Sequence, residues 1–369
     1  MGLIDYLGRI TVPSCEGIEI KKPKKILVIR LDHIGDVLMT TPFIRSLKKH
    51  FPCATITMVV KKLTFDTVIH NPYIDEIEVY NSSWTIPKIE GNTKQGMMDF
   101  IRLFLKLRKE KYDVAFDLKG DFRNILIMYL SGAKRRIGYG IRGGGFMLTD
   151  VVNYNAEEHE IDKNLSLLKP LNLSSTIQEP EIFVSEEDEE AVRSILREIG
   201  IQKTRLMIGI HAGGASLYKR WPEEKFVKLI KLLKREGEAQ ILIFGGHYER
   251  NVISKIRRKI RENGVFIMPE LTLCQMASAF ARCHAVICND SGAMHVAIAA
   301  KTPVIAIFGP TFADRFGPKD LKRNRVVCSR MDCSPCWNPD TSIGCRERTC
   351  LNNVTVNEVF EAVKEAVQS

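Results

Sequence analysis

The residues of this 369-residue chain best suited to chemistry stand in polar turns that follow short apolar runs. Ala285-Val286-Ile287-Cys288 reads as a strand, and Asn289-Asp290-Ser291-Gly292-Ala293-Met294-His295 then opens a small-residue helix. A strand that ends in a glycine turn and starts a helix aims free N–H groups and a positive dipole at one place, which suits phosphate. Gly292 lets an anion approach the backbone, and Ser291 adds a hydroxyl donor. Asp290 either holds the loop or meets a polar ligand. His295, buried in a small apolar helix pattern, either faces the ligand or makes an internal hydrogen bond. One such turn is also an ordinary strand-to-helix connection. Two others share the pattern: Asp32-His33-Ile34-Gly35-Asp36, and His211-Ala212-Gly213-Gly214-Ala215-Ser216 followed by Lys219-Arg220-Trp221-Pro222.

Asp36 sits in a glycine turn at a predicted helix start. A carboxylate there can take the proton of an incoming hydroxyl as general base, or it can cap the helix. Lys219 and Arg220 are either a fixed cation pair for a charged ligand or a solvated pair before a helix.

The elements that must position these turns alternate between strand and helix. Ile26–Ile29 reads as a buried strand, followed by a helical pattern through Val37, Leu38, Ile44 and Leu47 in which Pro42 belongs near a first turn. Further strands are predicted at Thr55–Val60, Ile77–Tyr80 and Val114–Asp117, with an amphipathic helix over Asp99–Lys109. Beyond a less regular stretch at Asn172–Thr176 and an acidic helical run over Ser185–Gly200, the rhythm repeats. Strands are predicted at Met207–Ile210, Ile241–Phe244, Val265–Ile267, Ala285–Cys288 and Val304–Phe308, and a final helix at Asn357–Val367. Such alternation argues for parallel sheets with crossover helices in two α/β halves. In open parallel sheets, ligands bind beyond the carboxyl ends of the strands, where all three turns fall.

Hydrophobic content of 45% and charged content of 27% belong to a globular protein. No apolar stretch reaches about 18 residues, so no membrane span is expected. Met1–Ile20 lacks the apolar core of a secretory signal and reads as an extension. The formal net charge of +10 suits an anionic ligand or an anionic lipid surface. No nucleic-acid-binding module accompanies it, which sets nucleic acid aside as a partner. Five of the ten cysteines crowd into Cys328–Cys350, four as Cys333-x2-Cys336-x8-Cys345-x4-Cys350. That spacing allows structural zinc without matching the common paired knuckles, and free thiols in a packed loop are the other reading.

Together, Ile29-Arg30 with Gly35-Asp36-Val37, Lys219-Arg220-Trp221-Pro222, Asn289–His295, Phe308-Gly309-Pro310-Thr311 and the Cys-rich tail resemble one family. It is the ADP-heptose:lipopolysaccharide heptosyltransferase family of GT-B glycosyltransferases, and the resemblance runs from about Lys25 to the end. It implies two Rossmann-like doubly wound domains facing a cleft: an extension over 1–22, an acceptor-binding domain over 23–175, and a donor-binding domain over 176–369. The implied reaction is inverting, metal-independent transfer of a heptose from ADP-heptose to a lipopolysaccharide core or related cell-surface glycan. Asp36 would be the base. His211, Gly213, Gly214, Asp290, Ser291, Gly292 and His295 would hold the donor. Ser216-Leu217-Tyr218 departs from the family pattern beside them. Departing phosphate charge needs stabilisation, and the chain has no Asp-x-Asp motif to hold a divalent ion. A helix N-terminus with Lys219 as a fixed cation can do that work.

No organic cofactor is implied, the ADP-sugar being a substrate. Lys61, Arg135 and Arg136, with Lys62, Arg123 and Arg142 nearby in the same half, would draw an acidic glycolipid. The implied location is cytoplasmic, with a basic face resting on the inner membrane surface. Two other readings share the fold: a nucleotide-sugar epimerase, which needs a further pair of acid–base carboxylates not evident here, and a non-catalytic nucleotide-sugar binding protein.

Overall fold

The computed structural model describes residues 22–81, 93–202, 204–237, 239–329, 331–336, 345 and 347–368. The predicted extension over 1–22 lies, but for its last residue, outside the described residues. The chain divides into two compact units between Glu179 and Pro180.

The first unit carries β1 (Lys25–Ile29), β2 (Thr55–Val60), β3 (Glu76–Val79), β4 (Val114–Asp117), β5 (Arg135–Gly138) and β6 (Asp150–Val151). They pair in the order β3-β2-β1-β4-β5-β6. The second carries β7 (Met207–His211), β8 (Gln240–Phe244), β9 (Val265–Ile267), β10 (Ala285–Asn289), β11 (Val304–Phe308) and β12 (Arg325–Cys328). Their order, β9-β8-β7-β10-β11-β12, repeats the first. Every pairing is parallel. This is the doubly wound dinucleotide-binding order, and it reverses direction between β1 and β4 and again between β7 and β10.

The central strands are near-continuous apolar runs because helices cover both of their faces. Every residue of β7, β8, β10 and β11 is buried. On one face, Phe226, Leu229, Ile230 and Leu233 of helix Glu223–Gly237 join Val359 and Val363 of the last helix, Val356–Gln368, over Ile208, Ile287 and Ile305. In the first unit, Leu103, Leu107, Ile125 and Met128 pack on Leu27, Ile29 and Ala115.

One predicted element divides. The helical pattern through Val37 and Leu47 forms two helices, Ile34–Leu38 and Thr41–His50. Pro42 has no N–H to donate, so the chain restarts there with Pro42 in a first turn. The hydroxyls of Thr40 and Thr41 close the junction on the carbonyls of Asp36 (2.9 Å) and Leu38 (2.7 Å).

Candidate functional site

In the first unit, the chain leaving β1 carries Arg30, Asp32 and Asp36 to the point where strand order reverses. Arg30 is buried. Its backbone N–H donates to the Val59 carbonyl at 3.0 Å, and its guanidinium donates to the Leu118 carbonyl just past β4. Two carboxylates neutralise it, Asp36 Oδ1 at 3.4 Å and Asp32 Oδ2 at 3.7 Å. Lys119, on the turn after β4, reaches Asp32 at 3.2 Å.

Two carboxylates around one buried cation do not ionise alike. Asp36 is pushed up to about 7, first by burial and then by the charge of Asp32, against the pull of Arg30. Asp32 moves the other way. Burial opposes its charge, but Arg30 and Lys119 outweigh burial and hold it below the usual carboxylate range. Adjacent acids driven apart in this manner can divide acid and base roles between them. Asp36 keeps 23% of its side-chain surface open, enough to meet a substrate hydroxyl. Capping is not its role, because His33 occupies the N-cap position and Asp36 lies inside the helix. Helix Glu160–Ser166 closes on the same junction, with Asn164 Nδ2 donating to the Met39 carbonyl at 3.0 Å.

Lys61, at the end of β2, is buried. Burial lowers its ammonium pKa, and the charge of Asp32 partly restores it. Asp117 and Asp121 shape the turn carrying Lys119. Asp117 accepts from the N–H of Lys119 (3.2 Å) and Gly120 (2.8 Å) and from Asn124 Nδ2 (3.0 Å). Asp121 caps helix Phe122–Leu130 by accepting from the Arg123 N–H at 3.0 Å.

Arg135 and Arg136 do not join this group. They begin β5, at the end of the strand opposite the switch-point turns. Arg135 is bound by two contacts to Asp150, at 3.0 and 2.7 Å. Arg136 donates to the carbonyls of Met147 (2.6 Å) and Ala133 (2.8 Å). Both guanidinium groups, expected to receive the acceptor, are engaged in holding this end of the sheet.

In the second unit, the turns after β7 and β10 meet. Asn289, fully buried at the end of β10, joins them with three hydrogen bonds. Its amide donates to the carbonyls of Ala212 (3.1 Å) and Gly213 (2.9 Å), and its oxygen accepts from the Trp221 N–H (2.9 Å). Gly213 has no room for a side chain, since a Cβ would lie 2.1 Å from Glu249 Cγ. Gly214 adopts φ +144°, and a Cβ there would touch Ser291 at 3.4 Å. Ser216 accepts from the Tyr218 N–H at 3.3 Å and starts the short turn Leu217–Lys219. That turn delivers Lys219 Nζ to Asp290 Oδ2 at 2.8 Å, and Thr311 Oγ1 donates to the same oxygen at 2.7 Å.

Ser291 is the N-cap of helix Gly292–Ala299, yet its hydroxyl makes no cap bond and is buried without a partner. The first amides of that helix have no intrahelical acceptor. Buried His211 likewise leaves Nδ1 unpartnered. Burial lowers its pKa against the pull of Glu249, which favours the neutral imidazole. His295 is buried one turn into the helix. Lys219 and the Thr311 hydroxyl thus meet on the Asp290 carboxylate, with the unpartnered Ser291 hydroxyl and a helix N-terminus directly after it in the chain, an arrangement suited to an anion bearing hydroxyl groups.

Sequence reasoning did not single out Arg30, Asp32, Lys119, Asn289 or Thr311 as members of these groups. A buried charge straight after an apolar strand, as in Ile29-Arg30, is the signal that could have found the first. The others meet partners distant in sequence.

Two units in dinucleotide-binding strand order, each with polar groups at its switch point, define an α/β protein of the GT-B class. The family model for glycosyltransferase family 9 (heptosyltransferase) matches residues 100–346, more than half of the chain. The chain belongs to that family and is a glycosyltransferase. It is 26% identical over 317 residues to lipopolysaccharide heptosyltransferase 2 of Escherichia coli strain K12, covering 82% of this chain and 87% of that protein. Its fold is similar to the crystal structure of a family 9 glycosyl transferase from Veillonella parvula, with TM-score 0.82, 24% identity and coverage of 94% and 97% of the two chains. It is also similar to ADP-heptose LPS heptosyltransferase II of E. coli, with TM-score 0.74, 24% identity and coverage of 93% and 98%.

Proposed function

We propose that this glycosyltransferase moves a heptose from ADP-heptose to a lipopolysaccharide core or related acidic glycan, with inversion and without a catalytic metal ion. The observation that carries the reading is the split of Asp32 and Asp36 around Arg30, which leaves Asp36 near neutrality and open to substrate. Asp36 takes the proton as the acceptor oxygen attacks the anomeric carbon. The bond from that carbon to the diphosphate breaks, and its electrons leave on phosphate. Lys219, Ser291 and the amides opening Gly292–Ala299 stabilise that charge. Asp290 holds Lys219 in place, and Gly213 and Gly214 keep the loop close to the phosphates. His211 and His295 complete the donor pocket as hydrogen-bonding groups. Lys61 and Lys119 receive the acidic acceptor on the first unit, and the basic surface favours work at an anionic membrane face on the cytoplasmic side. Any metal at Cys333–Cys350 is structural in this reading.

The test is product analysis with ADP-heptose and a Kdo-containing acceptor in metal-depleted buffer. The expected products are ADP and a glycan heavier by one heptose, bearing the inverted anomer, with Mg2+ or Mn2+ changing the rate less than about twofold. Retention of configuration, or a strict need for either ion, would contradict the mechanism. An altered free sugar without acceptor would favour the epimerase reading.

A further inference from the structure

Four of the cysteines have no part in that reaction, yet the fold gathers them. Cys333, Cys336, Cys345 and Cys350 line one pocket together with Tyr218 and Pro310. All four are free thiols. The pocket, of about 40 Å³, is roomy enough for a single ion. Its walls are anchored. The Cys336 N–H donates to the Pro310 carbonyl at 2.8 Å, and Ser334 Oγ donates to the Gly309 carbonyl at 2.7 Å. Cys350 is buried beside Leu351 in the core.

The pocket also adjoins the turn that carries Lys219. Tyr218 forms part of its lining. Arg348, between Cys345 and Cys350, donates to the carbonyls of Leu217 (3.1 Å) and Arg220 (3.4 Å), on either side of Lys219. Pro310 precedes Thr311, which bonds Asp290.

We propose that Cys333, Cys336, Cys345 and Cys350 bind one thiophilic divalent cation, Zn2+ or Fe2+, which pins the Leu217–Arg220 turn. Among the described residues no three of these sulfurs lie within 4.8 Å of one another. Metal entry therefore draws them in to bonds of about 2.3 Å, displacing the thiol protons. The metal stays out of the reaction and keeps Lys219 opposite Asp290.

The test begins with elemental analysis of the full-length protein, purified reduced and passed through gel filtration. About one equivalent of zinc or iron per chain is expected, the analysis telling the two apart, and Co2+ exchange should give the intense visible bands of tetrahedral thiolate coordination. Cys333→Ser and Cys345→Ser should each retain at least about tenfold less metal. Cys328→Ser, altering an exposed cysteine outside the pocket, should retain all of it. Removing the metal should speed hydrogen exchange at the Tyr218–Trp221 amides, and Zn2+ should reverse the change. Less than about a tenth of an equivalent with no cobalt spectrum, or disulfides among the four sulfurs in fresh protein, would overturn the site. Unchanged exchange at those amides in stripped protein would overturn the clamp. None of these readouts involves sugar transfer, so a failed transfer assay leaves them intact.

Discussion

Asp36 and Asp32 are four residues apart, share one guanidinium, and are driven in opposite directions by it. The difference lies in their remaining company. Asp32 has Lys119 at 3.2 Å as a second cation, whereas Asp36 shares Arg30 at 3.4 Å and meets the repulsion of Asp32 and, more weakly, of Glu160, with Lys119 offsetting only part of it. The sign of a substitution follows. Removing the Asp32 charge takes away a repulsion that raises the Asp36 pKa and frees Arg30 to stabilise the Asp36 carboxylate. Asp32→Asn should therefore shift the rising limb of kcat/KM against pH to lower pH, by about one unit. A limb that stays in place or moves to higher pH would show that Asp32 does not tune the base. In the second unit, Lys219 and Asp290 form a partly buried pair. Lys219→Ala should weaken ADP binding about tenfold or more in calorimetry. Unaltered ADP affinity would remove Lys219 from the donor site.

Among the elements, the junction of the β7 and β10 turns rests on one side chain. Replacing Asn289 by Ala leaves two carbonyls and one N–H without their partner in a site that water does not reach. The expected cost is roughly 3 kcal/mol in urea unfolding, with weaker ADP binding as the two turns part. Loss of ADP affinity at full stability would mean that Asn289 meets the ligand itself. The strands behind these turns were legible because burial on both faces demands unbroken apolar runs, as in Ile241–Phe244 and Val304–Phe308. Arg135-Arg136-Ile137-Gly138, the two-residue β6 and the partly exposed Arg325–Cys328 carry no such run, so β5, β6 and β12 were not predicted. Turn residues could be noticed from local pattern alone. The Arg30–Asp36, Lys119–Asp32 and Thr311–Asp290 contacts could not, because crossovers of the chain create them. The same gap explains Arg135 and Arg136. Their charge is visible in the sequence, but not the Asp150, Met147 and Ala133 groups that absorb it.

At the scale of the whole molecule, the doubly wound order occurs twice, and each copy places its candidate site residues where strand order reverses. No helix among the described residues is long and apolar enough to cross a membrane. With a net charge of +10, the proposed attachment to an anionic membrane face would be electrostatic. Sedimentation with vesicles rich in anionic lipid should show binding that falls steeply between about 0.05 and 0.5 M salt. Equal binding to neutral vesicles would rule that attachment out. The proposed division of labour, with a base on one unit and a diphosphate site on the other, is tested most directly by the pH dependence of transfer in the native enzyme and in Asp36→Asn. The native profile of kcat/KM should rise through an apparent pKa near 7, as the position of Asp36 requires. The variant should bind ADP normally and lose at least about a thousandfold in turnover. Near-native turnover in Asp36→Asn, at any pH, would contradict the assignment.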